Sequence, residues 1–274
     1  MLSIEKYPKL NSQTIFHLSL YNSFVTSTIP NLSNDFFKIM QDEGLCRNPA
    51  NMRFHMWQLF KSYNFTGRTV LDIGGGRGQL SFYAASQNAS YVKCLEPSLD
   101  GSNSDCQEFF RRITAKYKLD RVHLCPITFQ DYSISRSEQF DCVISNASIN
   151  HLDEDACANL LIDSSARDRF RGIAASMRDT LNPGGRLVIA DCFRRNLWSD
   201  LGFRNPIAAS IERHLHHQPS IWISIFKESG LRLTGLRYST FNSLGRAGSV
   251  LMNNWLSAYC LAGNFVMTFE RPHD

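Results

Sequence analysis

The sequence lacks several signatures, and each absence narrows its class. No C-x-x-C pair occurs among its eight cysteines, which removes the simplest ribbon-type metal sites and dithiol redox motifs. No apolar run approaches the ~20 residues that a membrane span needs. The opening stretch MLSIEKYPKLNSQT has neither the basic start nor the continuous apolar core of a secretory signal. Charge is modest as well: charged residues make up 20% of the chain, the net charge is +4, and Lys and Arg are scattered rather than gathered in a stripe. A long phosphate backbone is therefore disfavoured as a partner. There is no low-complexity tract and no repeat of fixed period. The expectation is a soluble cytoplasmic protein without a nucleic-acid or membrane partner and with reduced cysteines. Several of these lie in apolar runs, such as Cys94 in YVKCLEP and Cys142 in FDCVISN, where a thiol acts as a small buried hydrophobe. Nothing in the sequence sets an oligomeric state.

What is present fits one α/β domain with additions, since 274 residues can enclose a large core. Residues 1–65 read as an N-terminal helical cap, with Phe54, Trp57 and Phe60 at helical spacing. From Thr69 short apolar runs alternate with longer amphipathic stretches, the pattern of strand–helix units around a mostly parallel sheet with helices on both faces. Strands are expected at 69–73, 91–96, 121–126, 140–146 and 186–192, then in LRLTGLRYS and NFVMTFE, seven in all. Residues 66–274 form the main domain in this reading. The alternation breaks at 193–219, which carries turn residues, aromatics and three histidines and reads as an insertion over the substrate, before the helix SIWISIFKESG.

The segment VLDIGGGRGQLSFYAA places Asp72, Gly74, Gly76 and Gly78 between an apolar strand and an apolar helix, the context of a glycine-rich ligand turn. Glycines allow the sharp turn and close approach of a ligand, and the helix offers its free N–H groups. A dinucleotide fingerprint needs a third glycine where Gln79 stands, and no Lys follows to make a phosphate-binding P-loop. At the end of the next strand Glu96 can accept hydrogen bonds from both hydroxyls of a ribose. Together these features mark an adenosine pocket.

The D-x-G-x-G-x-G turn, the acid after strand two, FDCVISNASINHL and LNPGGRLVIADC resemble, in that order, the class I S-adenosylmethionine-dependent methyltransferases, over roughly residues 66–192. The resemblance implies a Rossmann-like seven-stranded fold, S-adenosylmethionine as cofactor and S-adenosylhomocysteine as product. It implies that Asp72, Gly74, Gly76 and Gly78 hold the cofactor's amino-acid moiety, that Glu96 binds its ribose, and that Asn146 lines the methionine side. Thr128 and Phe129 occupy the adenine-contacting positions, where similar proteins carry an acid followed by a small or apolar residue. Asn182 to Gly185 match the family's turn before strand five, a structural feature. The N-P-P-Y or D-P-P-Y of amino-methylating enzymes is absent, because strand four ends in SNAS.

Methyl transfer asks the protein to align an acceptor, exclude water and, for a hydroxyl, take a proton. Histidine suits that last task. His151 follows strand four, and His214, His216 and His217 lie in the insertion; His151 and His214 are the candidate bases. The H-x-H-H spacing has no Cys or carboxylate cluster beside it in sequence, so no metal is expected. Phe193, Trp198, Phe203 and Trp222 could line a pocket for a small organic acceptor or simply pack the core. A small-molecule acceptor is preferred over protein, RNA or a non-catalytic role, with oxygen slightly ahead of nitrogen or carbon.

Overall fold

The computed structural model describes residues 32–61, 63–97, 105–135, 138–193, 195–203, 215–239, 241–261 and 263–273. Among the described residues, helices α1 (Leu32–Asp42) and α2 (Pro49–Phe60) come first. Asn48 caps α2 by accepting from the N–H groups of Ala50 and Asn51 at 2.9 and 3.1 Å, with Pro49 at the position whose missing donor costs nothing.

Strands β1 (Thr69–Ile73), β2 (Tyr91–Leu95), β3 (Val122–Cys125), β4 (Phe140–Asn146), β5 (Leu181–Cys192), β6 (Arg232–Tyr238) and β7 (Asn264–Glu270) then form one sheet in the order 3-2-1-4-5-7-6. Pairing is parallel from β3 to β5 and antiparallel where β7 joins β5 and β6. The intervening helices are α3 (Gln79–Ser86), α4 (Asp105–Lys116), α5 (Phe129–Ser135), α6 (Glu154–Asn159), α7 (Ser164–Asp179), α8 (Leu197–Asp200), α9 (Pro219–Glu228), α10 (Gly245–Met252) and α11 (Trp255–Cys260). Within the described residues, no helix is long and apolar enough to cross a membrane.

Burial follows strand periodicity. Side chains alternate between the faces of a strand, so Leu71, Val143, Leu187 and Met267 join a core with Phe170, Met177, Trp222 and Phe226 from α7 and α9. Val70, Cys142, Ile144, Val188 and Val266 point the other way, onto Phe36, Met56, Phe82 and Phe110 of α1 to α4. Strands β1 and β4 are covered on both faces, whereas β6 alternates exposed and half-buried positions, as an edge strand does. The connection after α1 is anchored by Glu43, whose carboxylate meets Arg112 at 2.8 Å, Lys116 at 2.5 Å and Tyr117 at 2.8 Å on or just past α4. Burial alone would raise the Glu43 carboxyl, yet Lys116, Tyr117 and Arg112 together draw it down to about 2.

The expected strands all form, with one difference in shape. Asn182 to Gly185 do not simply precede β5 but interrupt it: Leu181 pairs with Phe140 and Arg186 with Cys142, so the four residues between them bulge out of the ladder. The bulge is held from outside. Gly184 donates to the Arg271 carbonyl at 2.8 Å, and Arg271 donates back to Gly185 at 3.0 Å. No disulfide joins the cysteines among the described residues, and Cys94, Cys106, Cys142 and Cys157 are buried.

Candidate functional site

Strand order reverses between β1 and β4, and in open α/β sheets the crevice at the carboxyl ends of such strands is where ligands bind. The glycine turn enters that crevice from β1. Its first two N–H groups, of Gly74 and Gly75, donate to the Leu95 carbonyl at 2.8 and 3.2 Å, so the turn is pinned to the end of β2. Gly74 has φ +66 and Gly78 φ +83, and a Cβ would lie 2.6 Å from that of Ser148 at the first and 2.5 Å from the Phe110 ring at the second. Both positions therefore require glycine twice over, for backbone and for space. From the β4 side, the Ser148 hydroxyl donates to the Ile73 carbonyl at 2.7 Å and stands 2.8 Å from that of Ser145, tying β1 to β4 at the switch point. Beside it Ala147 takes φ 52, a conformation costly to a residue with a Cβ.

Two carboxylates flank the turn. Asp72 is 1% exposed; it accepts from the Ser81 hydroxyl at 2.7 Å and from the Ser81 backbone, so it serves the open N-terminal turn of α3 from inside the sheet. Burial pushes the Asp72 carboxyl up to about 6; the Ser81 hydrogen bonds oppose the rise and nearby Glu96 adds to it. Glu96, just past β2, accepts the Gly76 N–H at 2.8 Å, and its own carbonyl accepts from Gln107 at 3.2 Å.

Against the turn and Asp72 opens a cleft of about 240 Å³, widening to about 570 Å³ with its mouth, lined by Leu45, Asp72, Gly74, Gly75, Arg77, Gln79, Leu80 and Asn146. Of the sequence-predicted residues, Asp72, Gly74 and Asn146 thus share the cleft, and Glu96, Gly76 and Gly78 build the turn beside it. Leu45 and the Gln79 side chain escape a motif reading. Gln79 donates to the Leu45 carbonyl at 2.9 Å, which draws the connection between α1 and α2 onto the cleft. Its one sequence signal is a long polar side chain at the first position of a largely apolar helix. A bare glycine cradle, a helix N-terminus and two acids suit a ligand that carries a carboxylate, a positive charge and a ribose.

The other candidates stand elsewhere. Thr128 caps α5: its hydroxyl lies 2.7 Å from Asp131 Oδ2 and accepts the Asp131 N–H at 3.1 Å, while Phe129 is buried in the core. Neither lines the cleft. His151 sits in a short 3₁₀ turn (Ile149–Leu152) with a half-exposed ring whose Nδ1 pairs with Glu154 at 2.6 Å. His214 and residues 204–213 of the insertion lie outside the described residues. His217 is buried, with Nε2 at 2.6 Å from the Cys157 carbonyl; His216 lies beside Asp191 and Cys192. Among the aromatics, Phe193 and Trp222 are core residues, Trp198 donates to the Cys260 carbonyl at 3.0 Å, and Phe203 is exposed.

No curated protein matches the chain by sequence. Solved structures do match its shape. A Listeria monocytogenes protein classed as an S-adenosylmethionine-dependent methyltransferase superposes with TM-score 0.55 at 13% identity, covering 82% of this chain and 99% of that one. The geranyl diphosphate C-methyltransferase of Streptomyces coelicolor A3(2), crystallised with S-adenosylhomocysteine, gives 0.53 at 16% identity over 81% and 78%. The 4+2 cyclase SpnF gives 0.51 at 15% identity over 82% and 81%. A family model described as a methyltransferase domain matches residues 47–236. With the glycine turn, Glu96 and the strand order in place, the chain belongs to that family, the class I S-adenosylmethionine-dependent methyltransferases.

Proposed function

We propose that the protein transfers the methyl group of S-adenosylmethionine to a small-molecule acceptor in the cytoplasm, with a hydroxyl oxygen the favoured target. The observation that carries this reading is the cleft at the β1/β4 switch point, where the glycine turn, Asp72 and Asn146 converge. In this reading the turn and α3 take the donor's amino-acid end and Glu96 its ribose hydroxyls. The bound donor supplies an electrophilic methyl group on a sulfonium; the protein's work is to hold it, exclude water and align the acceptor. Support for a small acceptor comes from the scattered basic residues, which offer no track for nucleic acid, and from the geranyl diphosphate enzyme among the structural neighbours. The cyclase on the same fold is a reminder that the site, and not the fold, selects the reaction.

The test is production of S-adenosylhomocysteine by the purified protein, preceded by calorimetry with S-adenosylmethionine. Donor binding and turnover on hydroxylated small molecules are expected. Absence of donor binding by folded protein refutes the reading, as does turnover confined to protein or RNA.

A further inference from the structure

The carboxyl end of β5 carries a second cluster that the donor cleft does not use. Asp191 and Cys192 are consecutive there, and His216 arrives from the far side of the insertion. His216 Nδ1 lies 3.2 Å from Asp191 Oδ1 and 3.4 Å from Cys192 Sγ. One ligand atom from each residue falls within 4.8 Å of the other two. A tetrahedral zinc ion, with bonds of roughly 2.1 Å to N and O and 2.3 Å to S, sets its ligand atoms about 3.4–3.6 Å apart. Two of the three separations are already close to those of a coordination shell.

An independent sign comes from the carboxylate. The Asp191 side chain is 1% exposed. Its Oδ1 accepts the Cys192 N–H at 2.7 Å, whereas Oδ2 is buried with no hydrogen-bond partner among the described residues. A buried carboxylate oxygen left unpaired is costly, and a cation removes the cost when the carboxylate turns Oδ2 to it or grips it with both oxygens, Oδ1 already facing His216. We propose that Asp191, Cys192 and His216 bind a divalent transition-metal ion of the zinc type. The mixture of carboxylate, imidazole and thiolate selects zinc over magnesium or calcium, which take oxygen ligands. Three protein ligands leave a fourth position for water or a substrate atom. Ala190, the residue before the cluster, pairs with Asn146 of the donor cleft, so the ion and the cleft share the carboxyl edge of neighbouring strands. The spacing of the histidines hid this site, because its other two ligands lie on the far side of the insertion.

Cobalt titration of metal-stripped full-length protein tests it, with absorbance as the readout. One equivalent should bind with the intense visible bands of a tetrahedral ion and a near-ultraviolet thiolate-to-metal charge-transfer band, both bleached by zinc. Cys192→Ser should abolish the charge-transfer band. Asp191→Asn and His216→Ala should weaken zinc binding by more than the ~10–100-fold that outer-shell changes cause. Circular dichroism confirms the fold of each variant, and Cys192→Ala replaces Cys192→Ser where that variant does not fold. The proposal is overturned by absence of binding in the wild type, by a spectrum without the thiolate band, or by affinity unchanged in the variants; each would leave Asp191 and His216 as a plain hydrogen-bonded pair.

Discussion

Glu96 Oε2 accepts the backbone N–H of Gly76 at 2.8 Å, so the acid that ends β2 also fixes the middle of the glycine turn that leaves β1. Glu96→Ala removes both the ribose acceptor and this brace. Donor affinity is expected to fall by roughly ten- to a hundredfold, the range of a charged hydrogen bond worth ~1.5–3 kcal/mol. Glu96→Gln keeps an oxygen for Gly76 and should lose less. Calorimetry with S-adenosylmethionine measures both, and unchanged affinity in Glu96→Ala removes Glu96 from the site.

Asp72 gives a pH-dependent test. Its carboxyl stands at about 6 in the fold against an ordinary 3.8. Because the folded value is raised, its favourable contribution is complete below the ordinary value and is lost as pH rises through about 6. Ser81→Ala deletes the hydroxyl that supports the ionised form, leaving the backbone N–H. Its cost, roughly 1–3 kcal/mol, should therefore be small near pH 4 and full near pH 8. Urea unfolding at the two pH values checks this, and an equal loss at both contradicts it.

Two glycines of the turn differ in what surrounds them. Gly76→Ala meets nothing within 4 Å and carries only the cost of φ +55, about 1–2 kcal/mol. Gly78→Ala adds a Cβ 2.5 Å from the Phe110 ring at φ +83. Overpacking of that kind costs ~1–3 kcal/mol more. The melting temperature of Gly78→Ala should lie several degrees below that of Gly76→Ala, at roughly 2–4 °C per kcal/mol.

His151→Ala should leave donor affinity intact and turnover within a few-fold of wild type, because the ring is half exposed and engaged by Glu154. An exposed pair of this kind is worth ~0–1 kcal/mol, so the melting temperature should barely move. A collapse of turnover with donor affinity retained would identify His151 as the base.

Period-two burial and the glycine turn were legible in the sequence because both are local. Leu71 and Val70 sort to opposite faces by alternation alone, and Gly74 and Gly78 announce themselves by residue type. Thr128 and Phe129, matched by position to the adenine contacts, also read as a helix cap, T-F-Q-D, and Thr128 makes the hydrogen bonds of one in the structure. Asn182 to Gly185 read as a turn before the strand, yet the strand already pairs at Leu181 and resumes across a bulge because Arg271, nearly ninety positions later, supplies partners for Gly184 and Gly185. Leu45 and His216 reach their neighbours only through tertiary packing, which no window of sequence contains.

The bond from Gln79 to the Leu45 carbonyl links the wall of the cleft to a connection that Glu43 clasps to α4 through two cations and a phenol. Any movement of Leu45 at the cleft wall is thereby transmitted to that clasp. Ion pairs with partly exposed cations weaken as salt rises, so the residence time of product, and turnover wherever release is the slow step, would respond to ionic strength through residues that never touch the ligand.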